Sequence, residues 1–405
     1  MVSEIDQIRS LFEQLFLFRN LNESPVIRGL FQRQPTVSLH GWYGALIERY
    51  PETANPWARF LWEAIKTTEN YLALQAEHGS GAQLSPTLKQ AALTDLKNLA
   101  ELVRWQPGKL VGLTNDSVAE PAPDSGFVAL AHGELDTCLQ WLTQWYSQHG
   151  VGLFGGATFL SWDASMKKLL PVAAPDSITL AQLIGYESQK QELRDNTTQL
   201  LHGLPSNNIL LYGDRGTGKS SLVKAMGNLF ADQGLRIIEM SKDDLADFPQ
   251  LLHCLQGRGL KFIIFVDDLS FEPAESQYKH LKAILEGGLA SRPQHIVIYA
   301  TSNRRHLIRE TMAERNDDVH FNDAIQEKLS LADRFGLTIT FSSPDQGDYL
   351  NIVKGIAKQR GLAIDDAELV RRAVQWERFQ NGRSGRTAKQ FVDQLQGQLG
   401  LAQSN

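Results

Sequence analysis

The run Gly213-Asp-Arg-Gly-Thr-Gly-Lys219-Ser220 fits the pattern G-x-x-x-x-G-K-[ST] in full. Each position in it has a physical reason. Glycines let a loop wrap with its N–H groups turned inward to phosphate oxygens, Lys219 supplies a point charge for terminal phosphates, and Ser220 offers a hydroxyl to a Mg²⁺ ion. A helix opening at Lys219 adds its positive N-terminal end. Gly213, Asp214, Arg215, Gly216, Thr217, Gly218, Lys219, Ser220 and Ser221 are therefore expected around a phosphate subsite.

A pair of carboxylates lies further along. The apolar run Phe262-Ile-Ile-Phe-Val266 ends in Asp267 and Asp268, and a carboxylate leaving a buried strand beside a phosphate loop is what coordination of Mg²⁺ through bound water requires. Asp267 is the expected metal residue, and Asp268 is placed to polarise an attacking water. Glu272, in the turn that follows, is the alternative base. A further apolar run, Ile296 to Ala300, ends in Thr301-Ser-Asn303, and Asn303 is expected to orient the water.

These side chains need a frame. From Ile178 onward short apolar runs (208–212, 236–240, 262–266, 296–300 and 337–341) alternate with helical ones (219–230, 248–255, 278–285 and 324–331). Strands alternating with helices imply a parallel sheet covered on both faces, with ligands at the carboxyl ends of the strands. The expected fold is thus α/β, with a five-stranded parallel sheet. After Pro344 the apolar spacing is helical in three runs, 346–358, 366–379 and 387–399. Residues up to about 170 also carry helix-face spacing, as in Leu11, Phe12, Leu15 and Phe16 or Trp57, Phe60, Leu61 and Ile65. Trp141 and Trp145 stand one turn apart and are expected in a core. The expected domains are 1–170, mostly helical, 171–343, α/β, and 344–405, a helical lid.

Composition narrows the function classes. The chain has 405 residues, 42% hydrophobic and 21% charged, with a formal charge of -6, so no global basic field holds it on a polyphosphate or an anionic bilayer. The N-terminal region has no basic stripe with interleaved aromatics, which weighs against a nucleic-acid partner. Cys138 and Cys254 are too few for a disulfide framework and are expected as buried, reduced thiols. The longest apolar stretch falls short of a membrane span, and Glu4, Asp6 and Glu13 exclude a signal peptide at the start, so a cytoplasmic setting is expected.

Taken together, the motifs resemble those of the AAA+ ATPases from about Ile178 to the C-terminus. The phosphate loop and Asp267-Asp268 are similar to the two Walker motifs, and Asn303 to the polar residue of sensor 1. Leu183-Ile-Gly-Tyr-Glu187 resembles the segment that closes over adenine, which implies an adenine pocket at Ile184, Gly185 and Tyr186. Lys328-Leu-Ser-Leu-Ala-Asp-Arg334-Phe-Gly resembles the segment presenting an arginine finger, with Arg304 and Arg305 as alternatives. Arg386, with Arg383 as its rival, resembles the lid arginine of sensor 2. The strings GDRGTGKSSLVKA, FVDDLSFE, YATSNRRHL and GRSGRTAKQF are similar to the bacterial AAA+ family called domain of unknown function 815. The resemblance implies ATP with Mg²⁺, hydrolysis, a homo-oligomer with Arg334 acting in trans, and a protein client. A nucleotide-gated scaffold and a nucleic-acid loader or remodeller are the alternatives.

Overall fold

The computed structural model describes residues 2–31, 39–79, 84–113, 124–270, 277–286, 293–303, 333–380 and 382–404. Two compact units result: Met1–Gly156 together with Gly257–Leu260, and Ala157–Gln256 together with Lys261–Asn405.

The first unit is helical: α1 (Val2–Glu13), α2 (Pro25–Phe31), α3 (Leu39–Arg49), α4 (Pro56–Thr67), α5 (Tyr71–His78), α6 (Pro86–Arg104), α7 (Ser125–His132), α8 (Leu135–His149) and α9 (Leu153–Gly156). Helix α4 shows how the sequence sets these elements. The Asn55 side chain accepts from the Ala58 N–H, proline sits at the first helical position, and Trp57, Phe60, Leu61 and Ile65 form the buried face. Ser85 caps α6 in the same way, through the Leu88 N–H. Tyr146 of α8 is fully buried and donates its hydroxyl to the Ile65 carbonyl. Trp141 and Trp145 stack on each other at 5.2 Å and are half-buried against the core.

The short segment Gly257–Leu260 is held within this unit by charge. The Arg258 guanidinium donates to Glu69 at 2.9 Å, to Glu77, and to the Val151 carbonyl at 3.1 Å, and lies over the Phe154 ring. Burial pushes the Glu77 carboxyl up, and Arg258 opposes that shift. Gly259 has no alternative here, since a Cβ on it would stand 1.7 Å from the Glu77 carbonyl oxygen.

The second unit holds a sheet of β1 (Phe159–Asp163), β2 (Lys168–Pro171), β3 (Ile209–Gly213), β4 (Leu235–Glu239), β5 (Lys261–Val266), β6 (Ile296–Ser302) and β7 (Leu337–Phe341). The strand order is β2-β1-β4-β5-β6-β3-β7, and every pairing is parallel except β1 with β2. Among the described residues the sheet therefore has seven strands, not the five expected. The two additional strands form an antiparallel hairpin at one edge, and Phe159-Leu-Ser-Trp-Asp163 alternates half-buried with buried residues instead of forming an apolar run. No helix intervenes between them, so the βα alternation that reveals the other strands is missing there. Both strands begin ahead of the boundary expected between residues 170 and 171.

Helices α10 (Glu187–Leu201), α11 (Lys219–Phe230), α12 (Phe248–Leu255) and α13 (Gln277–Glu286) come between successive strands from β2 to β6. The helix expected over 324–331 lies outside the described residues. After β7 come α14 (Gln346–Gln359), α15 (Asp366–Phe379) and α16 (Gly385–Ser404), close to the expected helical runs. Asp345 and Asp365 cap the first two through the Asp348 and Ala367 N–H groups. Tyr349, Ile352, Val353, Leu369, Ala373, Phe391, Val392 and Leu395 form their shared core. Cys138 is buried as expected, whereas Cys254 is exposed, because position 254 falls on the outer face of α12. Among the described residues no helix is long and apolar enough to cross a membrane.

Candidate nucleotide-binding site

Strand order decides which side chains meet. β6 lies between β5 and β3, in register from Val266↔Ala300 to Tyr212↔Ser302, so the carboxyl ends of all three open on one cleft. Its volume is about 1210 Å³, and its lining runs from Arg215 through Leu222 and takes in Asp267, Asp268, Thr301, Asn303, Arg386 and Lys389.

The phosphate loop is tied to β7 at its start. Gly213 pairs with Phe341, has φ +138°, and would place a Cβ 1.9 Å from the Phe341 carbonyl oxygen. Asp214 turns its carboxylate to Ser343, accepting from the backbone N–H at 2.8 Å and from the hydroxyl at 2.7 Å. Those two bonds hold its carboxyl below the usual aspartate range. Gly213 and Asp214 thus shape the loop and do not line the cleft, unlike Arg215, Gly216, Thr217, Gly218, Lys219, Ser220 and Ser221. Thr217 closes the turn by donating to the Asp214 carbonyl at 2.9 Å.

Lys219 opens α11 and is 6% exposed. Its ammonium donates to the carbonyls of Gly213 at 2.8 Å and Asp214 at 2.7 Å, and to Asn303 Oδ1 at 3.2 Å. Burial lowers its pKa, while Asp214, Asp267 and Asp268 act against that shift. All three bonds end on neutral oxygens, which leaves a buried cation suited to an anion.

Asp267 Oδ1 accepts from the Ser220 hydroxyl at 2.7 Å, from the Thr301 hydroxyl, and from the Asp268 N–H at 3.1 Å. No cluster of three His, Cys, Asp or Glu suited to a metal occurs among the described residues. A hydroxyl and one carboxylate, both hard oxygen donors, fit a Mg²⁺ ion that takes its remaining ligands from phosphate and water.

Asp268 has φ +50°, the left-handed region, which is uncommon for a residue other than glycine. Its N–H donates to Thr301 Oγ1 at 2.9 Å, and its Oδ1 accepts from Asn303 Nδ2 at 2.7 Å. The Asn303 amide therefore joins Lys219 on one side to Asp268 on the other. Glu272, Arg304 and Arg305 lie outside the described residues.

Ile184, Gly185 and Tyr186 also line the cleft. Ile184 packs into the core of the three C-terminal helices, and Gly185, at φ +83°, faces Ile352. Tyr186 is also left-handed, its ring lies 5.3 Å from Phe341, and its hydroxyl donates to the Ser342 carbonyl at 2.7 Å. Burial, with Asp348 and Asp214, pushes that hydroxyl up to about 12.

Arg386 lines the cleft, and its backbone N–H donates to the Gly216 carbonyl at 3.0 Å. Arg383 is instead paired with Glu377 at 2.6 Å and does not line the cleft. Arg334 is half-buried two residues ahead of Gly336 and is absent from the lining of its own chain's cleft. Thr301, Ser343 and Lys389 were not expected in the site. Thr301 sits beside Asn303 at a strand end, and Lys389 follows Arg386 by one helical turn, so spacing could have pointed to both; nothing local marks Ser343.

The family model described as Protein of unknown function (DUF815) matches residues 156–399. Among curated proteins, the 26S proteasome regulatory subunit 6B homolog of Schizosaccharomyces pombe is 31% identical over 121 residues, covering 26% of this chain and 31% of that protein. The match thus spans less than a third of that relative's length. Among solved structures, the Thermotoga maritima RuvB Holliday junction branch migration motor is 18% identical, with 56% of this chain and 66% of that one covered and a TM-score of 0.39. A variant of the same motor gives 19% identity and a TM-score of 0.40, covering 56% of this chain and 66% of that one. The family match runs from the start of the sheet-bearing unit into α16, across every motif quoted above: the chain belongs to the family described as Protein of unknown function (DUF815).

Proposed function

We propose that this protein binds ATP with Mg²⁺ and hydrolyses it to ADP and phosphate, using turnover to remodel a protein partner from within an oligomer of identical chains. The observation that carries the reading is the Lys219–Asn303–Asp268 chain of hydrogen bonds, 3.2 Å and 2.7 Å long, because one amide then responds to both the phosphate cation and the carboxylate.

The residues take the following parts. Gly216, Thr217 and Gly218 offer backbone N–H groups to the phosphates, and Lys219 exchanges its loop carbonyls for phosphate oxygens. Ser220 and Asp267 hold the metal, whose chemistry is to draw charge from the phosphate oxygens. Asp268 accepts the proton of the attacking water, oriented by Asn303. Arg386 from the lid and Arg334 from a neighbouring chain stabilise charge on the transferring phosphoryl group. Ile184, Gly185 and Tyr186 receive the adenine. Movement of α14–α16 against the sheet transmits the result to a client. Abundant ATP and unpaired thiols fit a cytoplasmic setting.

One observation favours a second reading, a nucleotide-gated scaffold. The Asp268 carboxylate is short, and one of its oxygens is already engaged by Asn303. Steady-state hydrolysis over a concentration series separates the two. The ATPase reading expects specific activity to rise with protein concentration, Lys219→Ala to abolish nucleotide binding, and Arg334→Ala to lose at least about a hundredfold in turnover while still binding ATP. Tight binding without turnover at any concentration would leave the scaffold, and no binding at all would overturn both.

A further inference from the structure

Three buried polar atoms among the described residues lie within α14 and α15 without a hydrogen-bond partner: Tyr349 Oη, Trp376 Nε1 and Glu377 Oε2. Groups of this kind cost stability, so their retention calls for a reason. Tyr349 is fully buried, and burial together with the Glu377 carboxylate pushes its hydroxyl up to about 12. The other carboxylate oxygen of Glu377 has a partner, Arg383 Nε at 2.6 Å, with the Glu377 side chain 11% exposed.

Arg383 stands on the connection between α15 and α16, immediately before the residues that meet the phosphate loop. Ser384 caps α16 by accepting the Thr387 N–H at 3.0 Å. The Arg386 N–H, one of the donors a helix start leaves unsatisfied, goes to the Gly216 carbonyl at 3.0 Å. The fit is close, since a Cβ on Gly216 would stand 2.9 Å from Ser384 Oγ and 3.1 Å from Arg386 Cβ. Arg386 and Lys389, three residues apart, both face the cleft from this helix start.

We propose that Glu377 is a positioning residue: through Arg383 it fixes the start of α16 against the phosphate loop and so aims Arg386 and Lys389 at the phosphates, a role that rests on the nucleotide reading above. Glu377 and Arg383 touch no nucleotide themselves. Their ion pair sets the connection, the connection sets Ser384, and Ser384 sets the helix start. Loss of either partner frees the connection while the apolar core of α14–α16 stays in place.

The test uses the full chain with Glu377→Gln, Arg383→Gln and the double variant, and Arg371→Gln as a control on the exposed side of α15, where Arg371 pairs with Glu368. Amide hydrogen exchange is followed over residues 384–388 without nucleotide, and affinity is followed with a fluorescent ATP analogue. Each single variant is expected to speed exchange at 384–388 and to weaken the analogue by roughly tenfold, the double variant no more than either single, with the control unchanged. Unchanged exchange in both singles overturns the proposal, as does faster exchange with unaltered affinity. Faster exchange in a protein whose wild type binds no nucleotide keeps the Glu377 placement and removes the ATP reading instead. Arg383→Gln guards against misfolding, since Arg383 is 37% exposed.

Discussion

Asn303 uses both ends of its amide, accepting from Lys219 and donating to Asp268. Asn303→Ala removes the link while leaving both charged groups, so chemistry should slow by about tenfold to a hundredfold with nucleotide affinity little altered; single-turnover hydrolysis beside equilibrium binding checks this. Lys219 makes a prediction of its own. Burial holds its pKa below 10.5, so with rising pH it loses its proton earlier than a free lysine, and ATP binding should weaken before that value is reached. Bound phosphate favours the charged form, so binding in that range takes up a proton, visible by calorimetry in buffers of different ionisation heats. Lys219→Arg should abolish this alkaline loss. Much of the candidate site is legible in the sequence because its glycine-rich loop is local: the motif occupies eight consecutive residues, six of which line the cleft. Asp267 and Asp268 are legible for a related reason, ending a run that only a buried strand explains. Thr301 and Ser343 are not, because their contacts are fixed by strand register and by the turn after β7, neither of which has a local signature.

At the scale of elements, β3 meets β7 closely. Gly213→Ala puts a methyl group on the Phe341 carbonyl, at a φ that side chains avoid, and should cost more than about 3 kcal/mol. Gly218 offers the contrast, since at φ +94° its nearest neighbour for a Cβ is Leu183 Cδ2 at 4.0 Å. Gly218→Ala should cost only the backbone penalty, about 1–2 kcal/mol. Urea unfolding of the pair measures the difference. The sequence pattern places β3 to β6 well because each is a mostly buried run, and β7, which alternates exposed threonines with apolar residues, falls on the expected 337–341. It misses β1 and β2 because a half-buried edge hairpin has neither long apolar runs nor a crossover helix to mark it. Cys254 is misplaced for a similar reason: residue type alone does not say which face of a short helix it occupies.

For the molecule as a whole, the telling feature is that Gly257–Leu260 belongs to the helical unit although the chain on either side belongs to the other. Arg258 is 8% exposed and Glu77 fully buried as side chains. Arg258→Ala leaves an uncompensated buried carboxylate and should destabilise the protein by about 3–5 kcal/mol, with a smaller loss for Glu77→Gln combined with Arg258→Met. Without the arginine, only the Gly259 and Val151 N–H groups oppose the effect of burial on Glu77, and its pKa climbs further. A raised carboxyl stabilises the folded state below its unfolded pKa and loses that contribution as pH rises through the folded value, so the Arg258→Ala deficit should shrink as pH falls. Denaturant unfolding at two pH values tests the sign. No composition shift or motif announces this arrangement, since Gly-Arg-Gly-Leu reads as an ordinary loop between α12 and β5. Its consequence concerns time. A ribosome delivers the helices first, at about 5–20 residues per second, and Glu77 must wait without its counter-ion until Arg258 has emerged. The helical unit is thus made ahead of the segment that completes it and cannot be finished until Arg258 has been made.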